Sequence, residues 1–411
     1  KENWISLMAK FCRVCEKPLS EFMSFGDMPI ANSFISLNEK NDQYLYEMLA
    51  AFCEICFTFQ LLNVPKPKQM FNENYAYLAS TSKEMQSHWG QLANTIFKEF
   101  NCNKKSFIVE IGSNDGIFLK NISDKNIPHL GVDASSNVNE IAKAKGVRTL
   151  NAFFNSETSK DIISNYGQAD IIFSSNTMHH IEDINEVVKG MDLLLKDDGT
   201  IITEDPSLKE MIIKNAYDQI YAEHMYIWSL HSITSLFERY KMEVYKIENN
   251  DRHGGCSRYF ICRKGKKKID QSVAEYLQIE KSLKLNNITT FLNFKKSINS
   301  SKKQLKDLLL DLKKKGKKIV GYGAPAKSTT ILNYCDFDNS LIEKIFDNSS
   351  TKVGKYTPGK SMIPIEHTDN FLSYKSDYAL LFAWNHKDEI LKKEKNYKNK
   401  WIIPIPKIEI I

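Results

Sequence analysis

Apolar and polar positions fall into blocks of two lengths along the middle of the chain. Short apolar runs at 107–111, 129–133, 169–175 and 200–204 have the length of buried strands, and 148–151 is a shorter one. Stretches at 138–145 and 184–195 carry apolar residues at helical spacing. Strands alternating with helices predict a mostly parallel sheet. Runs at 242–248 and 258–263 read as an antiparallel hairpin closing it, and Lys196-Asp-Asp-Gly199 reads as a turn. Two lysine-rich helical stretches within 266–315 look like a solvated linker and packing helix. A second α/β unit then begins at Lys318, with strands at 342–347, 362–365, 378–383 and 401–405. The expected fold class is α/β, with a small N-terminal module, a central Rossmann-like domain and a smaller C-terminal Rossmann-like layer. Its boundaries are 1–70, 71–265 and 266–411.

Four of the eight cysteines explain the N-terminal module. Cys12-Arg-Val-Cys15 and Cys53-Glu-Ile-Cys56 are two C-x-x-C knuckles, and together they supply four thiolates for tetrahedral zinc. Four protein ligands leave no open position, so this metal fastens the fold and does no chemistry. With 26% charged and 42% hydrophobic residues, the 411-residue chain has an ordinary globular composition and room for two or three domains. No apolar run approaches the roughly 18 residues that span a bilayer, and the start lacks a signal peptide's apolar core. A cytoplasmic protein with no membrane partner is expected. The net charge of +6 is thinly spread, and the lysine runs at 264–268 and 313–318 read as solvated turns, so no nucleic-acid partner is expected.

The central chemistry lies at Glu110-Ile-Gly112-Ser-Asn114-Asp-Gly116, a glycine turn between a strand and a helix. Glycine admits positive φ and lets a ligand approach without a Cβ in the way. The spacing is neither the G-x-G-x-x-G of dinucleotide sites nor a P-loop ending in Gly-Lys-Ser/Thr. An acidic loop suits a cationic ligand, and S-adenosylmethionine (SAM) carries both an ammonium and a sulfonium. About twenty residues on, Asp133 ends the next strand, where a carboxylate can accept from two ribose hydroxyls. Asn151 and Phe153 lie at a strand end where an adenine fits. Asn176 opens the following strand-end loop, which runs on to His179 and His180. This order of elements resembles that of the class I methyltransferases.

An insertion at 206–236 holds Tyr221-Ala-Glu223-His224, dense in groups that move protons. Carbon methylation beside a carbonyl needs a base for the α-proton and a donor for the enolate oxygen, and imidazole suits the base. An exposed histidine on an interfacial helix is the plainer alternative. Tyr75, Tyr77 and Ser80 could line a sugar or phosphate pocket, though a turn and helix cap explain that segment equally. His253-Gly-Gly-Cys-Ser-Arg258 is either a hairpin loop or a phosphate contact through Arg258. Gly321-Tyr-Gly323-Ala-Pro-Ala-Lys327 is a strand, a glycine turn and a helix N-terminus, a geometry that receives anions, though it lacks a third glycine. Lys352 follows in the next strand-end loop.

Taken together, the paired C-x-x-C module, the E-x-G-x-x-x-G loop, Tyr-x-Glu-His at Tyr221 to His224, His-Gly-Gly-x-x-Arg at His253 to Arg258 and Gly-Tyr-Gly-Ala at Gly321 to Ala324 resemble the sugar C-methyltransferases of deoxysugar biosynthesis over nearly the whole chain. The resemblance implies structural zinc, SAM in the central domain and a nucleotide-linked 4-keto-sugar held with help from the C-terminal domain. His224 would be the base, Glu223 and Tyr221 would position it and support the enolate, and His180 would help from the facing loop. Either Tyr75 or Tyr77 would reach in from the N-terminal side, and the protein would be a monomer. Cys256 stands where the family's loop reads Gly-Gly-Ser, which bears on the sugar or phosphate contact. An O- or N-methyltransferase on a related sugar is one alternative function. A zinc-module binding protein with an inactive methyltransferase fold is another, and intact Glu110, Gly112 and Asp133 speak against it.

Overall fold

The computed structural model describes residues 11–71, 73, 78–81 and 83–411. Strands β1 (Ser20–Pro29), β2 (Leu45–Phe52) and β3 (Phe59–Leu61) form an antiparallel N-terminal sheet. The register decides the metal site: Ser20 faces Phe52, so the turn before β1 and the turn after β2 meet, and each carries one cysteine pair.

The central sheet contains β4 (Ile108–Ile111), β5 (His129–Asp133), β6 (Thr149–Asn151), β7 (Ala169–Ser175) and β8 (Leu195–Pro206). The insertion supplies β9 (Tyr226–Ile227), and the closing hairpin is β10 (Met242–Asn250) with β11 (Cys256–Arg263). Seven strands run in the order β10-β11-β8-β7-β4-β5-β6, parallel except for β11, which is antiparallel to both neighbours. The chain fills one half of the sheet from β4 outward and then returns to lay β7 on the other side. That reversal between β4 and β7 is where ligands bind in open α/β sheets. The expected turn at Lys196 to Gly199 is absent. β8 starts at Leu195, straight after the helix Ile184–Leu194, and a register shift absorbs these residues between the pairs Ala169↔Leu195 and Ile171↔Thr200. Asp197 and Asp198 reach solvent at the irregularity, which satisfies their charges without a hairpin.

The central and N-terminal units are not cleanly separable, because β9 pairs with β3 through Phe59↔Ile227 and Gln60↔Tyr226. In the C-terminal unit β12 (Ile319–Tyr322), β13 (Ile345–Asp347), β14 (Ile365–His367), β15 (Tyr378–Leu381), β16 (Lys400–Ile403) and β17 (Glu409–Ile410) form a sheet ordered β14-β13-β12-β15-β16-β17, parallel until its last strand. The lysine-rich segment is more than a linker. Its helix Ile288–Lys314 buries Phe291 against Phe52, with ring centroids 4.2 Å apart, and against Phe22 at 5.4 Å, clamping the zinc module from outside. The helix Ser328–Tyr334 ties all three units together. Thr329 Oγ1 donates to the Ala31 carbonyl (2.9 Å) and Thr330 Oγ1 to the Ile220 carbonyl (2.6 Å). No helix among the described residues is long and apolar enough to cross a membrane.

Candidate active site

One cavity of about 1790 Å³ runs across the three units. Pockets for a single small ligand occupy roughly 300–1,000 Å³, so this one has room for two ligands meeting end to end. At its central-domain end lie Glu110, Gly112, Asn114, Asp133, Phe153 and Asn176. Gly112 has φ +73°, and a Cβ there would stand 2.1 Å from Thr177 Oγ1, so only glycine lets the β4 and β7 loops touch. Asp133 Oδ2 accepts from the Asn114 amide and Oδ1 from the Ser135 amide, both at 2.9 Å, which pins the turn and fixes the carboxylate. Glu110 is buried, and burial, together with nearby Asp133 and Asp115, raises its pKa well above the ordinary value. Its Oε2 has no hydrogen-bond partner among the described residues. A buried acid with one oxygen unpartnered among the described residues, near a fixed second carboxylate, suits the cationic end of SAM. Three predicted residues do not line the cavity but hold its wall. Gly116 turns the loop at φ +76°, Asn151 Nδ2 donates to the Asp133 carbonyl (3.0 Å), and the Ser80 hydroxyl bonds Asp115.

Above this end three imidazoles crowd together. His179 and His180 come from the loop after β7 and His224 from the insertion, with ring centroids 4.4 Å (His179–His224) and 5.3 Å (His180–His224) apart. His224 is buried in an irregular turn, not on an exposed helix. Its Nδ1 lies 2.7 Å from the Gln219 carbonyl, so Nδ1 carries the proton and Nε2 keeps a lone pair. Burial, with the two neighbouring histidines, holds its pKa well below the ordinary value. Tyr221 packs on its ring at 3.8 Å. Glu223 does not orient His224. Its Oε1 accepts from Asn32 Nδ2 of the N-terminal module at 2.6 Å, and burial raises its pKa to about 7.

The zinc ligands converge as the knuckles predict. Cys12 Sγ lies 3.4 Å from Cys56 Sγ, and Cys15 Sγ 3.5 Å from Cys53 Sγ. Zinc–sulfur bonds of about 2.3 Å set tetrahedral sulfurs roughly 3.8 Å apart, close to this spacing. Gln60 Nε2 donates to Cys12 Sγ at 3.0 Å, which suits a thiolate. Contact with the other sulfurs drives the Cys12 and Cys56 thiols up and holds Cys53 down, a mutual conflict that a divalent cation relieves.

At the far end of the cavity stand His253, Lys327, Lys352 and Asn385. Lys327 Nζ bonds Asn385 and sits 4.4 Å from the Trp384 ring centroid, while Lys352 Nζ donates to the Ala324 carbonyl at 2.8 Å. Burial lowers both lysine pKa values, opposed at Lys327 by the Asp218 carboxylate 3.8 Å away and at Lys352 by Asp347 and Glu223. Arg258 is elsewhere. It lies in β11 and not along the cavity, with its guanidinium 2.5 Å from Glu204 and 2.9 Å from Glu248. Two carboxylates already neutralise it, so it is not placed to meet a phosphate. Gly323, at φ +78°, shapes the turn behind Pro325 without lining the cavity. Tyr75 and Tyr77 lie outside the described residues.

Similarity to known proteins follows the same three-part division. Residues 12–71 match a zinc binding domain, 82–247 a methyltransferase domain and 251–406 a C-methyltransferase C-terminal domain. The C-methyltransferase NovU of Streptomyces niveus is 30% identical over 406 residues, covering 97% of this chain and 96% of NovU. The chain belongs to the C-methyltransferase family. It is a SAM-dependent C-methyltransferase with an N-terminal zinc domain. Solved structures share less of it. A SAM-dependent methyltransferase from Anabaena variabilis (16% identity, TM-score 0.36) covers 44% of this chain and 86% of its own. Magnesium protoporphyrin IX methyltransferase from Synechocystis (9%, TM-score 0.34) covers 44% and 79%. The C-methyltransferase site also contains residues that no motif pointed to. Asn32 is a lone polar residue with no pattern around it. His179 was visible beside His180, but its partner Asp205, 2.5 Å from Nδ1, lies on a different strand. Trp384 Nε1 donates to buried Asp218 at 2.6 Å, joining the C-terminal unit to the insertion.

Proposed function

We propose that the enzyme methylates a carbon next to the ketone of a nucleotide-linked keto-deoxysugar, with His224 as the base. The observation that carries this reading is the tautomer of His224. A backbone carbonyl occupies Nδ1, so a neutral imidazole presents Nε2 to a cavity lined by the acidic glycine loop at one end and by two lysines at the other. Bound SAM would supply an electrophilic methyl group, held by Glu110, Gly112, Asn114 and Asp133. The keto group acidifies the neighbouring C–H, and His224 Nε2 takes that proton. Glu223, with its pKa raised to about 7, holds a proton near neutrality and can donate a hydrogen bond to the enolate oxygen. Tyr221, packed on the His224 ring, keeps its plane in place. The paired lysines 327 and 352 suit the negative charge of a nucleotide diphosphate. The test incubates the enzyme with SAM and a panel of nucleotide-linked 4-keto-sugars. A mass gain of one methylene and a new C–CH3 resonance are expected, and both should vanish in His224→Asn while SAM binding persists. Full turnover by His224→Asn would rule out this base, and a methylated oxygen or nitrogen would rule out the reaction.

A further inference from the structure

We propose that His179, His180 and His224 form a second metal site, for a divalent transition ion such as zinc, nickel or cobalt, and that filling it inhibits the enzyme. The three rings each offer one ring nitrogen, and these atoms lie within 4.8 Å of one another. Metal–nitrogen bonds of about 2.0–2.1 Å set ligand nitrogens roughly 3.3 Å apart in a tetrahedral site, so modest ring rotation closes the gap. The surroundings favour ligation in three ways. His179 Nδ1 lies against the Asp205 carboxyl (2.5 Å) and His224 Nδ1 against the Gln219 carbonyl (2.7 Å). A carboxylate and a backbone carbonyl are the usual outer partners of metal-bound histidines, and they orient each ring with Nε2 inward. Next, Nε2 of His179 and of His180 is buried and has no hydrogen-bond partner among the described residues. Histidines that merely fill a core normally satisfy such atoms. Finally, all three histidines line the cavity, so an ion can reach them from solvent. Imidazole nitrogen suits zinc, nickel and cobalt but not magnesium or calcium. Three protein ligands leave a fourth position for water from the cavity.

Occupancy is independent of the reaction assigned above, whereas inhibition rests on that reading, because the ion would take the lone pair that His224 uses as a base. The test starts from full-length enzyme with its cysteine site loaded with zinc. The protein is dialysed against cobalt or nickel, and bound metal is measured by atomic emission. Metal content is expected to rise from about one to about two ions per chain, and a magnesium control should stay at about one. Bound cobalt should show d–d absorption without thiolate charge transfer. In His179→Gln and His180→Gln the content should return to about one, with SAM binding by calorimetry showing that the fold survives. The second ion should cut turnover at least about a hundredfold, the scale of losing a general base, and brief chelation should restore it. A metal content that stays at one, or a second ion that persists in the His179→Gln/His180→Gln double variant, would overturn the site. A second ion bound with turnover unchanged would uphold the site and instead remove His224 as the base.

Discussion

Glu223 gives a prediction whose size follows from its surroundings. Its carboxyl is buried with the amide of Asn32 donating to it, and burial raises its pKa from 4.5 to about 7. An acid whose folded pKa is raised favours the folded state most at low pH. That contribution is complete below the unfolded value of 4.5 and is lost as the pH climbs through about 7. At about 1.36 kcal/mol per pH unit the full loss is on the order of 3 kcal/mol, of which about 2.5 kcal/mol falls between pH 5 and pH 8. Glu223→Gln keeps the shape and can still accept from Asn32, but it cannot ionise. Urea denaturation of zinc-loaded wild type and variant at pH 5, 6.5 and 8 isolates this one group, since the other buried acids cancel in the difference. The variant should gain on the wild type by about 2.5 kcal/mol across that range. Parallel curves for the two proteins would show that Glu223 titrates normally and would remove it as the donor to an enolate.

Three further outcomes are expected. Removing zinc with a chelator should abolish turnover even at temperatures where the central domain still binds SAM, because the zinc sheet carries Asn32 to Glu223; calorimetry and activity on one sample check this. Arg258→Ala should destabilise the protein by about 3–5 kcal/mol, the scale of a broken buried ion pair, and leave the substrate KM of the folded fraction unchanged; a raised KM with normal stability would restore the phosphate role. Gly112→Ala should weaken SAM binding at least about tenfold, since its Cβ would push into Thr177 from a left-handed backbone costing about 1–3 kcal/mol; titration calorimetry reads the change.

What the sequence determined by itself was local or repeated. A strand, a glycine turn and a helix within ten residues announce a cofactor loop, since φ and side-chain volume are set there by the residue alone. Two C-x-x-C knuckles announce a metal, since thiolates at that spacing have few other uses. Tyr221, Glu223 and His224 were visible as a cluster of proton-moving groups, but what each does depends on partners far along the chain. Asn32 reaches Glu223 across 191 positions, Asp205 sets the orientation of the His179 ring, and Gln219 chooses the tautomer of His224. The fate of Arg258 was equally hidden. Its residue type permits a phosphate contact, and only the pairing of β11 with β8, which sets it opposite Glu204, spends its charge inside the sheet. The tertiary structure decided these points because a hydrogen bond or ion pair needs its two ends within about 3 Å, and sheet register, not sequence spacing, brings such ends together.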